Sequence, residues 1–161
     1  MIRQTRLDDA HAIADIYNHY IKNTRVTFEE TLVTVSDINA RILELESTGL
    51  PRVVAEHNGN VIGYAYATKW SGRCSYRYSV EITIYLDKSV SKRGWGTLLY
   101  KELFDELRSC DIHVVIGGIS LPNEASVALH EKFGMEKVAH FKEVGFKFGQ
   151  WVDVGYWQVM L

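Results

Sequence analysis

Two stretches of the chain carry residues out of keeping with their neighbours. In Val80-Glu81-Ile82-Thr83-Ile84-Tyr85-Leu86 a glutamate interrupts a run of apolar and β-branched residues. Glutamate is depleted in strands. A carboxylate so placed is either a solvent-facing charge on a half-exposed sheet or a base held away from bulk water. The second stretch is Ser91-Lys92-Arg93-Gly94-Trp95-Gly96-Thr97, directly before a leucine-rich segment. Glycine weakens a helix interior by roughly 1 kcal/mol relative to alanine, so Gly94 and Gly96 serve another purpose. The first turn of a helix has unpaired N–H groups and the positive end of the dipole. Bare glycines would let a phosphate reach those groups, with Lys92 and Arg93 adding charge. The alternative is a surface loop with a basic tip. The spacing matches neither the Walker loop nor the GxGxxG fingerprint. Two further residues read first as structural: Asn123 as a helix N-cap, and His130 as a helix-surface histidine.

The elements that must position these residues follow from periodicity. Residues 1–6 read as a short strand. Leu7-Asp8-Asp9 offers caps for a helix over about 9–22, and Ser36-Asp37 starts a second helix that Gly49 and Pro51 end. Arg52–His57 and Val61–Trp70 are strands joined through Asn58-Gly59, a strong hairpin signal. Along 80–86, Glu81, Thr83 and Tyr85 share one face, and Val80, Ile82, Ile84 and Leu86 the other. A helix follows at 95–108. Next come a short buried strand at His113–Ile116 followed by Gly117-Gly118, and a helix from Asn123 to Phe133 stopped by Gly134. Met135 to Leu161 gives two long strands turning near Gly149. The pattern is α/β, a mixed sheet with helices on its faces.

Composition narrows the function. The chain has 161 residues, 47% of them hydrophobic, and suits a single domain over 1–161 with one core. A net charge of -2 gives no global pull toward nucleic acid or acidic membranes, so any anion site must be local. Two cysteines, Cys74 and Cys110, are too few for a disulfide framework or a zinc cage, and no metal is expected. They read as reduced thiols, which points to the cytoplasm. There is no signal-peptide pattern and no apolar run long enough to span a bilayer.

The run "VEITIYL…SKRGWGTLLY" with "SLPNEASVALHEKFGM" resembles the GNAT superfamily of acetyl-CoA-dependent N-acetyltransferases. The tail "GFKFGQWVDVGYWQ", with "NHYI" at 18–21, "VTFE" at 26–29 and "VE" at 80–81, is similar to the phosphinothricin and methionine-sulfoximine branch. The resemblance implies a mixed sheet of about seven strands flanked by about four helices, and a homodimer. It implies that acetyl-CoA lays its diphosphate on the amides of Arg93, Gly94, Trp95, Gly96 and Thr97 beside Lys92. The pantetheine would run along Ile84, Tyr85 and Leu86, with Asn123 and Ser126 nearby. Ser91 stands where the family motif has Gln or Arg, and Ser71 where close relatives can carry lysine.

The implied acceptor is an amine, and about a tenth of an α-amino group is neutral at pH 7. Its attack needs a base, and the branch places a catalytic Glu at position 81 and a His at 130. Glu81 and His130 are therefore expected to work as a pair. Backbone N–H groups near Ile82 to Ile84 would supply donors for developing negative charge. By the same resemblance Arg73, Tyr76, Thr83, Tyr85 and Tyr100 are substrate donors, Phe28 and Val154 are apolar walls, and Arg77 is an extra cation. His11, His19, His57 and His140 have no motif around them. Trp151 and Trp157 share strand parity and read as core or interface. The expected function is transfer of acetyl from acetyl-CoA to a small amino-acid-like amine. Protein or peptide N-acetylation, and a non-catalytic acyl-CoA sensor, are the competing readings.

Overall fold

A computed structural model describes residues 1–90 and 93–161. The elements in chain order are β1 (Ile2–Gln4), α1 (Ala10–Asn23), α2 (Val35–Thr48), β2 (Arg52–His57), β3 (Asn60–Lys69), β4 (Ser79–Leu86), α3 (Trp95–Ser109), β5 (Val114–Leu121), α4 (Glu124–Lys132), β6 (Glu136–Lys147) and β7 (Gln150–Met160). Seven strands form one mixed sheet, as the resemblance implies, and they run in the order β1-β2-β3-β4-β5-β7-β6. Among the described residues no helix is long and apolar enough to cross a membrane.

The chain divides into two compact units. The first comprises Met1–Asn18, Val33–Thr68 and Thr83–Asp111. Its β2–β3 hairpin turns through Asn58 and Gly59 at φ 51° and 76°, the paired positive φ values of a type I′ turn. The cap of helix α2 lies two residues before the expected Ser36. Thr34 is the N-cap, its hydroxyl accepting from the Asp37 N–H while the Asp37 carboxylate accepts from the Thr34 N–H. Gly49 ends the helix at φ 70°. Helix α1 starts at Ala10 after a 3₁₀ turn over Leu7–Asp9, and Asp9 accepts from the Arg6 N–H at 2.7 Å and pairs with Arg3. Leu99, Leu103 and Leu107 of α3 are buried, as their spacing requires.

The second unit comprises His19–Leu32, Lys69–Ile82 and Ile112–Leu161. Here β5 differs from expectation. It runs on to Leu121, with Gly117 and Gly118 inside it, and pairs without interruption with β7 from Val114↔Met160 to Leu121↔Asp153. Glycine inside a strand signals close approach by a neighbour. A Cβ at Gly117 would lie 2.6 Å from the His130 ring, and one at Gly118 would lie 2.9 Å from Tyr156 and 3.2 Å from Glu81. Strand β6 returns antiparallel to β7 through Phe148 and Gly149 at φ 52° and 70°. The segment before Leu32 is tied to that hairpin. The Lys147 ammonium donates to the Thr27 carbonyl at 2.8 Å, and the Phe28 ring lies directly over Gly145. Trp157 is buried beside α4, its indole N–H donating to Glu131 at 3.3 Å, whereas Trp151 at the hairpin end is 62% exposed. Shared parity therefore does not give these two tryptophans a shared environment.

Candidate active site

Glu81 lies in the part of β4 that pairs with β5, opposite Ile116 in a parallel ladder of Ser79–Glu81 with Val114–Ile116. Residues paired across a ladder, and residues two apart along a strand, share a face. Glu81, Ile116, Gly118, Val154 and Tyr156 thus face one way, by the registers of β4–β5 and β5–β7. Gly118 has no side chain, and the space a Cβ would take is flanked by a Glu81 carboxylate oxygen and the Tyr156 ring. Tyr156 in turn meets Trp70 at 5.6 Å between ring centroids and Phe141 at 5.8 Å, both nearly edge-on. Glu81 is half-buried, and that burial raises the proton affinity of its carboxylate above the ordinary value. Burial, and then the neighbouring Glu81 charge, push the Tyr156 phenol up as well.

His130 does not join this group. Its ring packs on Gly117, whose side faces opposite to that of Gly118. Glu81 and His130 therefore lie on opposite faces of β5, and the expected pair is corrected by strand alternation itself. His130 is 3% exposed, and its Nδ1 lies 2.7 Å from the Ser126 carbonyl. A carbonyl only accepts, so Nδ1 carries the proton. Burial lowers the His130 pKa, and the Ser126 bond opposes that in part. The residue reads as a neutral core histidine that orders α4.

The glycine turn belongs to the first unit. Gly94 is the N-cap of α3 at φ 81°, a conformation that side chains resist. No described side chain caps the helix there, and a Cβ at Gly94 would meet nothing within 4 Å. An exposed helix start with an open glycine fits an anion that binds main-chain N–H groups. Arg93 is exposed, Gly96 is buried, and Thr97 and Trp95 are half-buried, Trp95 lying 5.4 Å from the His57 ring. Lys92 and Ser91 lie outside the described residues. The β4–β5 ladder stops at Glu81–Ile116, and β4 continues to Leu86. Ile84 and Leu86 there are half-exposed although they share parity with the buried Val80 and Ile82. Asn123 caps α4, its side chain accepting from the Ser126 N–H at 3.2 Å.

The remaining expected substrate residues are differently placed. Arg73 and Tyr76 are exposed around a 3₁₀ turn over Cys74–Tyr76, with Arg77 stacked over Tyr78 at 4.3 Å. Thr83 is half-buried. Tyr85 packs in an aromatic group with Tyr17 at 5.1 Å and Tyr64 at 5.7 Å. Tyr100 is fully buried and edge-on to Phe104 at 6.1 Å, so its ring is core. Burial and the nearby Tyr85 push its hydroxyl above the usual tyrosine range. Phe28 is partly exposed and Val154 buried, the latter on the Glu81 face. Tyr156, Gly118 and Trp70 were missed as site candidates. The glycine pair inside a strand run was the signal that could have found them. Among the described residues no group of three or more His, Cys, Asp or Glu could hold a metal ion.

The family model described as "Acetyltransferase (GNAT) domain" matches residues 2–155. The L-amino acid N-acyltransferase MnaT of Escherichia coli is 37% identical, over 99% of this chain and 93% of its own. The phosphinothricin N-acetyltransferase of Streptomyces coelicolor is 35% identical, over 94% and 90%. The structure of yncA from Salmonella typhimurium, with its cofactor acetyl-CoA, superposes at a TM-score of 0.97, with 35% identity over 100% of this chain and 93% of that one. Sheet order, glycine-opened helix and half-buried strand glutamate thus belong to a chain of the GNAT family, an acetyl-CoA-using N-acetyltransferase of the branch that holds the phosphinothricin and L-amino acid enzymes.

Proposed function

We propose that the chain acetylates the α-amino group of a small amino-acid-like substrate. The observation that carries this is Glu81: a strand carboxylate whose partial burial raises its affinity for a proton. An α-ammonium must lose a proton before its nitrogen can attack, and a base is most effective when its pKa is moved toward the working pH. When bound, acetyl-CoA supplies the activated acetyl thioester. The amides of Arg93, Gly94, Trp95, Gly96 and Thr97, with Lys92, would hold its diphosphate, and the strand edge at Ile84, Tyr85 and Leu86 its pantetheine arm. Asn123 and Ser126 would serve the same arm. Glu81 accepts the ammonium proton. Phe28 and Val154 act as apolar walls, and Arg73, Tyr76, Thr83 and Tyr85 as donors to the acid groups of the substrate, with Tyr100 packed behind.

The names of the relatives, which act on phosphinothricin and L-amino acids, support the substrate class. The family match over residues 2–155 supports reading the chain as one acetyltransferase domain. Exposed Phe146, Phe148 and Trp151 support a homodimer. Free thiols at Cys74 and Cys110 support a reducing compartment. The test is thiol release from acetyl-CoA with a panel of amines: methionine sulfoximine, methionine sulfone, phosphinothricin, ordinary amino acids and a peptide. Release with the small amino acids is expected. Release with the peptide alone would replace this reading with protein acetylation, and coenzyme binding with release from none would replace it with a sensor.

A further inference from the structure

Beside Glu81 stands an aromatic ring, Tyr156, that the acetylation chemistry does not itself require. Tyr156 is central. Its ring and the Glu81 carboxylate flank the same bare position, Gly118, and Trp70 and Phe141 stand nearly perpendicular to it at 79° and 81°. Trp70 is 37% exposed and Phe141 51% exposed, so these rings are not spent on filling a core. The register of β6 on β7 sets Phe141 opposite Val154, on the face shared by Tyr156, Gly118 and Glu81. A carboxylate beside a corner of electron-rich rings matches one chemical group well: an alkylammonium. Its charge is attracted to ring faces and its N–H groups donate to the carboxylate.

We propose that Tyr156, with Trp70 and Phe141 at its edges, forms an aromatic corner that receives the substrate ammonium against Glu81, making Tyr156 a specificity-determining residue for a cationic primary amine. The inference rests on the reading of Glu81 as base. Gly118 is part of the same device, because any side chain there would displace Tyr156 or Glu81. The titratable group facing Glu81 from β7 is the Tyr156 phenol, while His130 on α4 faces the other side of β5. The ring supplies the interaction, so the hydroxyl is dispensable.

The experiment uses the full chain with acetyl-CoA and methionine sulfone, read by thiol release, and compares Tyr156→Phe, Tyr156→Leu, Trp70→Leu and, as an exposed aromatic outside the corner, Trp151→Leu. Tyr156→Leu is expected to raise the amine KM about tenfold, with kcat and the acetyl-CoA KM little changed. Tyr156→Phe, which keeps the ring, is expected to raise the amine KM less than Tyr156→Leu does, and Trp151→Leu to stay within about twofold of the parent. The N-trimethylated analogue of methionine sulfone, a cation that cannot be acetylated, should inhibit the parent better than the neutral 2-hydroxy analogue. That preference should shrink in Tyr156→Leu. An unchanged amine KM and an unchanged cation preference would overturn the proposal, as would Tyr156→Phe behaving like Tyr156→Leu. If Tyr156→Leu fails to fold, Trp70→Leu and Phe141→Leu carry the same test, since both rings are partly exposed. Loss of turnover in Glu81→Gln alongside an unaltered amine KM in Tyr156→Leu sinks the aromatic corner alone. Full turnover in Glu81→Gln sinks the reading on which it rests.

Discussion

Glu81 is useful because it is uncomfortable. Burial raises its proton affinity, so the folded chain holds that proton more tightly than the unfolded chain does. By linkage, the stability this group contributes is fully present below the unfolded pKa and is lost as pH rises through the raised folded value. At neutral pH the ionised carboxylate therefore costs stability. Glu81→Gln should raise the melting temperature at pH 7 while making little difference near pH 4, a comparison that calorimetry at the two pH values makes directly. Activity moves the other way, as expected where a function-bearing group is strained by its site. His130 makes the opposite case. Its ring and its bond to Ser126 are structural, so His130→Ala should lower stability by about 2–4 kcal/mol in denaturant unfolding, as a large-to-small core change does. The surviving fraction should keep most of its turnover. A stable His130→Ala variant that had lost turnover would return the histidine to the chemistry.

The elements decide which of these groups can meet. Alternation along β5 sends Gly117 toward α4 and Gly118 toward Glu81, and both glycines are bare because something else fills their side. Gly117→Ala should destabilise the fold by about 1–3 kcal/mol through its clash with His130. In Gly117→Ala/His130→Ala the clash is gone, so the two costs should fall short of additive in a double-mutant cycle. Helix α3 gives a second case. Gly94 holds φ 81°, so Gly94→Ala should cost about 1–2 kcal/mol of stability and raise the acetyl-CoA KM, while the amine KM holds. Much of this layout was legible in the sequence. The Asn58-Gly59 turn, the Gly49 and Gly134 stops and the leucine ladder of α3 are local signals and came out as read, whereas the period-two pattern of β4 holds only through Ile82. The end of β5 was not legible, because glycine ordinarily ends a strand and only long-range neighbours explain two glycines inside one. The Glu81–His130 pair failed for the same reason. Residues linked by a family pattern still have to share a face, and the face of each was fixed by pairing partners far away in the chain.

In the molecule as a whole, the family resemblance implied a mixed sheet of about seven strands, and seven are observed; their order is a long-range property that periodicity could not supply. The β6–β7 hairpin carries Phe146 and Trp151 in ring contact at 4.7 Å, both more than half exposed. Exposed apolar surface of that kind is where the proposed homodimer would form its seam. Replacing both residues with serine should turn a dimer into a monomer in sedimentation velocity, and a parent chain that already sediments as a monomer would remove the homodimer. The proposed chemistry depends most of all on a carboxylate at position 81 removing the ammonium proton, and the pH profile of kcat/KM for methionine sulfone in the parent and in Glu81→Gln measures that directly. The parent should lose activity as pH falls through a value above that of an ordinary glutamate, and Glu81→Gln should lack that limb and be about 10²–10⁴-fold slower on the plateau. A Glu81→Gln variant with the parent's rate and the parent's acid limb would contradict it.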